Sequence, residues 1–510
     1  MGSGTYILSG WLFLRLLGVI YLAAFVSLGC QVKGLVGSRG ILPAADFLGA
    51  KQGWGPTRLL QIPTLCWWSA GDGFLRFLCG GGAALSLLLI AGVAPAPVLV
   101  LLWVFYLSLF NVCRVFLGYQ WDILLLEVGF LAIFIAPFDL LPRFPPATEP
   151  SALVLGLFWW LSVRLMFSSG VVKLRSGDRT WRNLTALHYH YETQPLPTWT
   201  AWYWHQMPGW FHKGSVVLMF VIELGAPMLV LGPLPFRHLA GAGIVLLMLL
   251  IMATGNYCFF NLQGIALAIL LFDDAVWLPL LGTLVPGVTW AASGSGGTTA
   301  APCWPLWITA PVALIILVLS VEVMARLFRL PTRWPKPVEQ FISGLEPFRL
   351  VNGYGLFAVM TIERPEIIVE GSRDGVNWLA YEFKWKPGDV RRRPRYVAPH
   401  QPRLDWQMWF AALGYYQGTP WFGRFLDALL RGSPDVLALL DGNPFADEPP
   451  RYVRAVIYDY RFTDFALRRA TGAWWRRERR GFYSPTLSSR AGPGAPRAPV
   501  NDREDGEREA

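Results

Sequence analysis

Residues 95–113 read PAPVLVLLWVFYLSLFNVC, a run that contains no charged side chain. An α-helix rises about 1.5 Å per residue, so a run of this length crosses a hydrocarbon core of roughly 30 Å. The stretch before it, 74–93, stops just short of Pro95 and Pro97, and this predicts a tight hairpin of two helices. These residues therefore indicate a fold that spans a membrane.

Similar apolar runs recur through the first two thirds of the 510 residues. The whole chain is 54% hydrophobic and 15% charged, where a soluble domain usually has about 25% charged residues. This composition excludes an ordinary soluble enzyme, a coiled coil and a disordered chain. We predict a mainly α membrane bundle of about nine transmembrane helices over residues 1–335. The predicted helices are 11–29, 74–93, 95–113, 121–138, 151–172, 214–235, 239–254, 261–281 and 305–324.

The chain has a net charge of +10. Its basic residues do not form the aromatic-lined polar face of a nucleic-acid groove. In a membrane protein, such an excess of Lys and Arg indicates how the chain is oriented in the membrane and where it contacts anionic lipid headgroups. Alternate loops differ strongly in their Lys and Arg content. Only Arg143 and Arg237 lie on one side. The loops of the other side hold Lys33, Arg39, Lys51, Arg58, Arg114, Lys173, Arg175, Arg179, Arg182 and Lys213. With an odd number of helices, this predicts a cytoplasmic C-terminal part.

Beyond Pro331 the apolar blocks end, and shorter patterns predict a soluble α+β domain at 336–487. Residues 354–363, 366–371 and 451–464 are typical of strands, and Asp374-Gly375 predicts a β-hairpin turn before a strand that begins near Leu379. Helices are expected at 404–416 and 421–431, and a third should open at Ser433-Pro434. Residues 488–510 have too little apolar surface to fold, so we expect a disordered tail.

Placing a charged residue inside a membrane-spanning stretch costs free energy, so each such residue is a functional candidate. We expect them mainly to pair across helices; a transport path is the alternative. They are Arg15, Arg76, Glu127, Arg164, Glu223, Asp273, Asp274 and Glu322.

The segment 164–213 is the richest in chemical groups. His188, His190 and Glu192 alternate, so an extended chain would place them on one side, as a metal or acid–base site requires. The surrounding Trp and Tyr residues favour a membrane-interface belt instead. Lys173 lies at the end of a predicted helix. If it is desolvated there, burial favours its neutral form, which could act as a base. If its side chain instead extends to the membrane surface, its role is structural. No motif indicates a cofactor or a metal ion.

Several long motifs resemble the lipase maturation factor family, over nearly all of residues 1–486. They are Gln120–Phe130 (QWDILLLEVGF), Leu184–Pro197 (LTALHYHYETQPLP), Gly255–Tyr257, Phe259–Asn261, Asp273-Asp274, Leu350–Leu356 (LVNGYGL), Glu363–Gly371 (ERPEIIVEG) and Ala398–Trp409 (APHQPRLDWQMW).

The resemblance implies a non-catalytic, multi-pass protein of the endoplasmic reticulum membrane that helps lipases mature. Its partners would be a client protein, chiefly a lipase, and membrane lipids. In a bacterial source the membrane would be the cell membrane. The family places the C-terminal domain in the lumen, whereas the charge count favours the cytoplasm. On this hypothesis the residues assigned to client or interface binding are Asp178, Trp181, Glu192, Trp202, Trp204, His400, Arg403, Asp405 and Trp406.

A shorter resemblance supports an alternative. Gly170-Val-Val-Lys173-Leu, with Trp181 downstream, is similar to the segment that carries the base lysine in the vitamin K-dependent γ-carboxylase group. This resemblance implies a membrane enzyme in which Lys173 is the general base, with His188 or His190 assisting.

Overall fold

The computed structural model describes residues 4–142, 148–284 and 304–489. The helices before residue 150 enclose a largely apolar interior, and the loop after the first long helix is folded into short helices. In chain order they are Ile7–Gly29 (α1), Val32–Val36 (α2), Ala44–Gly49 (α3), Arg58–Gln61 (α4), Asp72–Ala91 (α5), Pro95–Cys113 (α6) and Gln120–Ile133 (α7).

The next group crosses the bundle and builds a helical layer at one of its ends. It comprises Ala152–Arg175 (α8), Arg179–Arg182 (α9), Ala186–Thr193 (α10), Trp199–His205 (α11), Gly209–Phe220 (α12), Ala226–Val230 (α13), Leu234–Thr254 (α14), Phe260–Ile269 (α15), Asp274–Leu284 (α16) and Leu306–Phe328 (α17). A single π-helical turn, Val221–Gly225, joins α12 to α13.

Seven helices of the described residues are long and apolar enough to cross a membrane, or eight if a bent pair forms one span. The predicted number of nine is not confirmed. The run at 121–138 yields only α7, which ends at Ile133. The run at 261–281 is divided between α15 and α16, which are bent by 104°. The break has a physical cause: the Asp274 carboxylate accepts hydrogen bonds from the backbone N–H groups of Ile7, Leu8 and Ser9, which open α1.

The C-terminal part combines short helices with a four-stranded antiparallel sheet in the order β2-β1-β3-β4. The elements are Lys336–Leu345 (α18), Arg364–Ser372 (β1), Leu379–Tyr381 (β2), Arg403–Ala412 (α19), Pro420–Leu430 (α20), Pro434–Leu437 (α21), Tyr452–Phe462 (β3), Phe465–Thr471 (α22) and Trp475–Ser488 (β4). The predicted hairpin between β1 and β2 is confirmed, with Gly375 at φ +83° in its turn.

Two strand predictions need correction. Residues 354–363 form no strand, because this segment lies against the helices and its polar groups bind them. Strand β4 was not predicted from the sequence; its Arg-rich first half is exposed on the edge of the sheet. The tail predicted at 488–510 is wrong at its first residue, because Ser488 is the last residue of β4; residues 490–510 lie outside the described residues.

The sheet region packs against the end of the bundle that carries the basic loops. Asp435 of α21 receives the Lys33 ammonium at 2.5 Å and the Arg39 guanidinium at 3.0 Å. The basic loop after α1 therefore lies on the same side of the bundle as the C-terminal part; which side of the membrane this is stays a prediction.

Candidate functional site: a buried interface and an apolar cavity

The central contact between helices and sheet region is the ion pair of Arg403 and Asp122. Arg403 opens α19 and reaches α7, where its two terminal nitrogens lie 3.0 and 2.9 Å from the carboxylate oxygens of Asp122. It also donates to the Phe116 carbonyl at 2.6 Å, and the Tyr106 hydroxyl donates to Asp122 at 2.5 Å. Both charged side chains are fully buried. A bidentate pair fixes orientation as well as distance, so it sets how α19 sits on the bundle.

A second polar contact reaches deeper into the bundle. Glu127 forms a buried ion pair with Arg164 of α8. The same carboxylate accepts hydrogen bonds from the Asn352 backbone N–H at 2.9 Å and from the Tyr354 hydroxyl at 2.7 Å. Two residues that were expected to be intramembrane charges therefore anchor the segment that was predicted as a strand from residue 354.

Arg364 forms the third contact, which was not predicted from the sequence. Its guanidinium is buried; it donates to the carbonyls of Glu192 at 2.7 Å and Pro195 at 2.9 Å, and it pairs with Glu366 at 2.7 Å. Arg364 and Glu366, two positions apart and next to the apolar run 367–369, were the available signal, because such side chains are seldom buried without a partner.

Five of the residues expected to bind a client belong to the helical layer after α8. Asp178 caps α9 and accepts from the Met360 N–H at 2.6 Å. Trp181 is buried and donates to the Phe357 carbonyl at 3.0 Å. Glu192 accepts from the Phe462 N–H at 2.9 Å. Trp202 is buried against Trp474 and Phe465, and Trp204 packs on Phe211 and Tyr191.

The other expected residues belong to the α19 region. His400 contacts the Ser27 hydroxyl at 2.9 Å, and burial lowers its pKa to about 4. Asp405 accepts from the backbone N–H groups of Trp385 and Lys386, yet burial raises its pKa to about 6. Trp406 packs edge-on against Trp121. Of the nine expected residues, only Asp178, Trp204 and His400 retain appreciable exposed surface.

The predicted alternation of His188, His190 and Glu192 is wrong, because these residues lie on a helix, α10. Helical residues two apart point about 200° from each other, so His190 points away from His188 and Glu192, which are four apart. His188 contacts His212, His190 contacts Tyr257, and Glu192 faces the sheet. Among residues 4–142, 148–284 and 304–489, no group of three or more His, Cys, Asp or Glu side chains is arranged to hold a metal ion.

An apolar cavity of about 270 Å³ lies between α8, α12 and α14. Lys173 and Glu223 face each other in its wall, with the ammonium 2.7 and 2.8 Å from the two carboxylate oxygens and 3.2 Å from the Ser169 carbonyl. Glu223 reaches this position from the π-helical turn, a feature that often marks functional sites. As the protonated partner of the Glu223 carboxylate, the Lys173 ammonium donates hydrogen bonds and carries no lone pair that could accept a proton.

The remaining intramembrane charges take up different positions. Asp273 lies 3.4 Å from His238, and Asp274 caps α1. Arg15 donates to the Leu89 carbonyl, and Glu322 pairs with Arg326. Arg76 is exposed on α5. Pairing and helix capping thus account for most of the charges that the sequence singled out.

The fold and the interface define a class: a polytopic membrane protein whose C-terminal antiparallel sheet is docked on one end of the helical bundle. Two family models match the chain. The lipase maturation factor transmembrane domain matches residues 8–279, and the lipase maturation factor C-terminal domain matches residues 350–485. The chain belongs to the lipase maturation factor family.

Curated relatives cover nearly the whole chain. It is 39% identical to lipase maturation factor 2 of Gallus gallus, over 94% of this chain and 81% of that protein. It is 36% identical to lipase maturation factor 2 of Homo sapiens, over 94% and 82%. With lipase maturation factor 1 of Homo sapiens it shares 35% identity, over 95% and 89%. No solved structure matches the chain.

Proposed function

We propose that this protein assists the folding and assembly of client lipases, or of other exported proteins, and that it does so without catalysis of its own. The observation that carries the proposal is the similarity to proteins named lipase maturation factor over more than nine tenths of the chain. We place it in the endoplasmic reticulum membrane, or in the cell membrane of a bacterial source. Residues 1–335 and 336–487 would be its two functional units.

The buried contacts support a scaffold rather than a reaction centre. Arg403, Arg364 and Glu127 each hold the C-terminal part through several hydrogen bonds. In the proposed mechanism they keep the sheet region at a fixed position beside the membrane, where a partly folded client is held. Client contact would fall on the exposed surfaces around Asp178, Trp204 and His400.

The state of Lys173 also supports a non-catalytic role. A general base must present a free lone pair to its substrate, and the Lys173 ammonium that pairs with Glu223 has none. The γ-carboxylase-like alternative would require the Glu223 pair to open first.

The test is the specific activity of a secreted lipase, measured as activity per lipase mass in cells with and without the protein. We expect activity to fall on removal of the protein while lipase mass stays constant. Unchanged activity per mass would remove lipases as clients.

Two variants separate the mechanisms. Deleting residues 350–485 should abolish the support of lipase maturation. The paired variant Lys173→Met with Glu223→Gln, which leaves no unpaired buried charge, should retain most of it. If the paired variant folds and inserts normally yet loses all activity, the enzyme alternative replaces this proposal.

A further inference from the structure

The cavity between α8, α12 and α14 has the size and lining of a small-molecule site. Its volume of about 270 Å³ lies close to the lower end of typical ligand pockets, roughly 300–1,000 Å³. Most lining side chains are aliphatic or aromatic. Leu247, Leu250, Ile251 and Thr254 line it from α14, which gives a length of about 10 Å along that helix.

The cavity has an opening towards the lipid. Leu218 of α12 is 40% exposed although it lines the cavity, and Leu250 of α14 is half-buried. Both helices are among the candidate membrane spans. A hydrocarbon chain can therefore enter from the bilayer without crossing water.

A polar network lies at the end of the cavity where α14 stops, and it fixes the protonation of His190. The Gln194 amide nitrogen donates to the carbonyls of Thr254 at 2.8 Å and Tyr191 at 3.2 Å, so its oxygen faces the Tyr257 hydroxyl at 3.1 Å. Tyr257 must donate there, and its own oxygen then accepts from His190 Nε2–H at 3.1 Å.

His190 is consequently left with one free acceptor. Burial and the nearby Lys173 charge lower its pKa to about 4, so the ring is neutral at pH 7. With the proton on Nε2, Nδ1 carries a lone pair. Nδ1 is buried and has no hydrogen-bond partner among the described residues. A buried acceptor without a donor is unfavourable, and a ligand that brings a hydroxyl would satisfy it.

We propose that this cavity binds a single-chain lipid whose head donates a hydroxyl group, of the monoacylglycerol type. The hydroxyl donates to His190 Nδ1, and the chain runs along α14 past Leu250 and Leu247. One chain suits the volume better than two. The Lys173–Glu223 pair forms a wall of the site and, because its ammonium is saturated, does not favour a fatty-acid carboxylate over a neutral head.

The test uses the full-length protein in nanodiscs and a monoacylglycerol with a photoreactive diazirine in its chain. We expect the probe to label peptides of α12 and α14, and excess unlabelled monoacylglycerol to suppress this labelling at least fivefold. Diazirine forms of a fatty acid and of phosphatidylcholine, used in parallel, show which class of lipid supplies the bound hydrocarbon chain. Equal, uncompeted labelling by phosphatidylcholine would overturn the proposal in favour of bulk lipid.

A matched pair of variants locates the site. Leu247→Trp fills the cavity and should lower labelling at least fivefold. Leu246→Trp places the same side chain on the lipid-facing side of α14, where Leu246 is 46% exposed, and should leave labelling unchanged. Ser215→Phe repeats the filling from α12 should Leu247→Trp fail to fold. Wild-type labelling in a folded cavity-filling variant would refute the site.

The role of His190 is tested through the ligand. Methylating the hydroxyls of the competing monoacylglycerol removes the donors and should weaken competition about tenfold. Equal competition by the methylated lipid would overturn the assignment of His190. None of these readouts involves a lipase, so the proposed function and this site can fail independently.

Discussion

Arg403 and Asp122 show at residue scale how strongly the C-terminal part depends on a few buried charges. We predict that Arg403→Met lowers stability by about 3–5 kcal/mol, because it leaves a buried carboxylate without its partner. Arg403→Met combined with Asp122→Leu should recover part of this loss. Thermal unfolding of the detergent-purified protein measures both.

The surface pair of Arg39 and Asp435 provides the control for this prediction. The Arg39 side chain is 59% exposed, and such pairs contribute about 0–1 kcal/mol. Arg39→Met should therefore shift the unfolding temperature little. If both single substitutions had the same small effect, the Arg403–Asp122 pair would not be a main anchor.

At Arg364 the shape of the guanidinium group, and not only its charge, is expected to determine the contribution to stability. Arg364→Lys keeps the charge but cannot reach three carbonyl groups and Glu366 together. We predict a loss of about 2–3 kcal/mol, in line with the cost of unsatisfied buried partners. Limited proteolysis should show earlier cleavage around residues 192–197. Arg480→Lys in β4, which is 38% exposed, is the control and should behave like wild type.

At the scale of elements, the sequence predicted what local patterns can encode. Uninterrupted apolar runs located the long helices, and Asp374-Gly375 located the hairpin. What failed depended on distant partners. Residues 121–138 and 261–281 look like spans, but the second run is broken where Asp274 caps α1. The Arg-rich β4 resembles no half-buried strand, since its outer edge is left to solvent.

In the candidate site, too, local patterns were predictable from the sequence and contacts between distant residues were not. The charges of Glu127, Arg164 and Lys173 were identifiable from the sequence because charged residues in apolar stretches stand out. Asn352 and Tyr354, which bind Glu127, lie far along the chain, and no local period marks them. The same holds for Arg364, which binds the Glu192 carbonyl. The alternation of His188 and His190 predicted a shared face that does not exist, because residues two apart share a face in a strand but not in a helix.

At the scale of the whole molecule, three half-buried histidines make the stability of the docked C-terminal part depend on pH. His190, His205 and His400 all have pKa values lowered to about 4, by burial and by cations near each ring. The opposing charge is that of Lys173 for His190, of His188 and then Arg461 for His205, and of Arg403 and Lys384 for His400. Each ring is thus held neutral in the folded protein, next to a charge that opposes its protonation.

The sign of the pH dependence follows from these shifts. Below pH 6.5 the unfolded chain takes up protons on these histidines before the folded protein does, so each costs about 2 kcal/mol of stability by pH 5. Asp405 acts in the opposite direction, because its pKa is raised to about 6 and its protonation favours the folded state by about 1 kcal/mol. The raised pKa of Glu192, which lies 3.8 Å from His205, also opposes the histidines.

We therefore predict a net loss of stability on acidification from pH 7 to pH 5, with the unfolding temperature of the full-length protein falling by several degrees. His400→Asn removes one titrating ring while keeping a polar group beside Ser27, so it should flatten this slope. Differential scanning fluorimetry in detergent at fixed ionic strength measures both. An unfolding temperature that stays constant or rises between pH 7 and pH 5 would mean that the carboxyl groups outweigh the histidines, and acid would then strengthen rather than loosen the docked sheet.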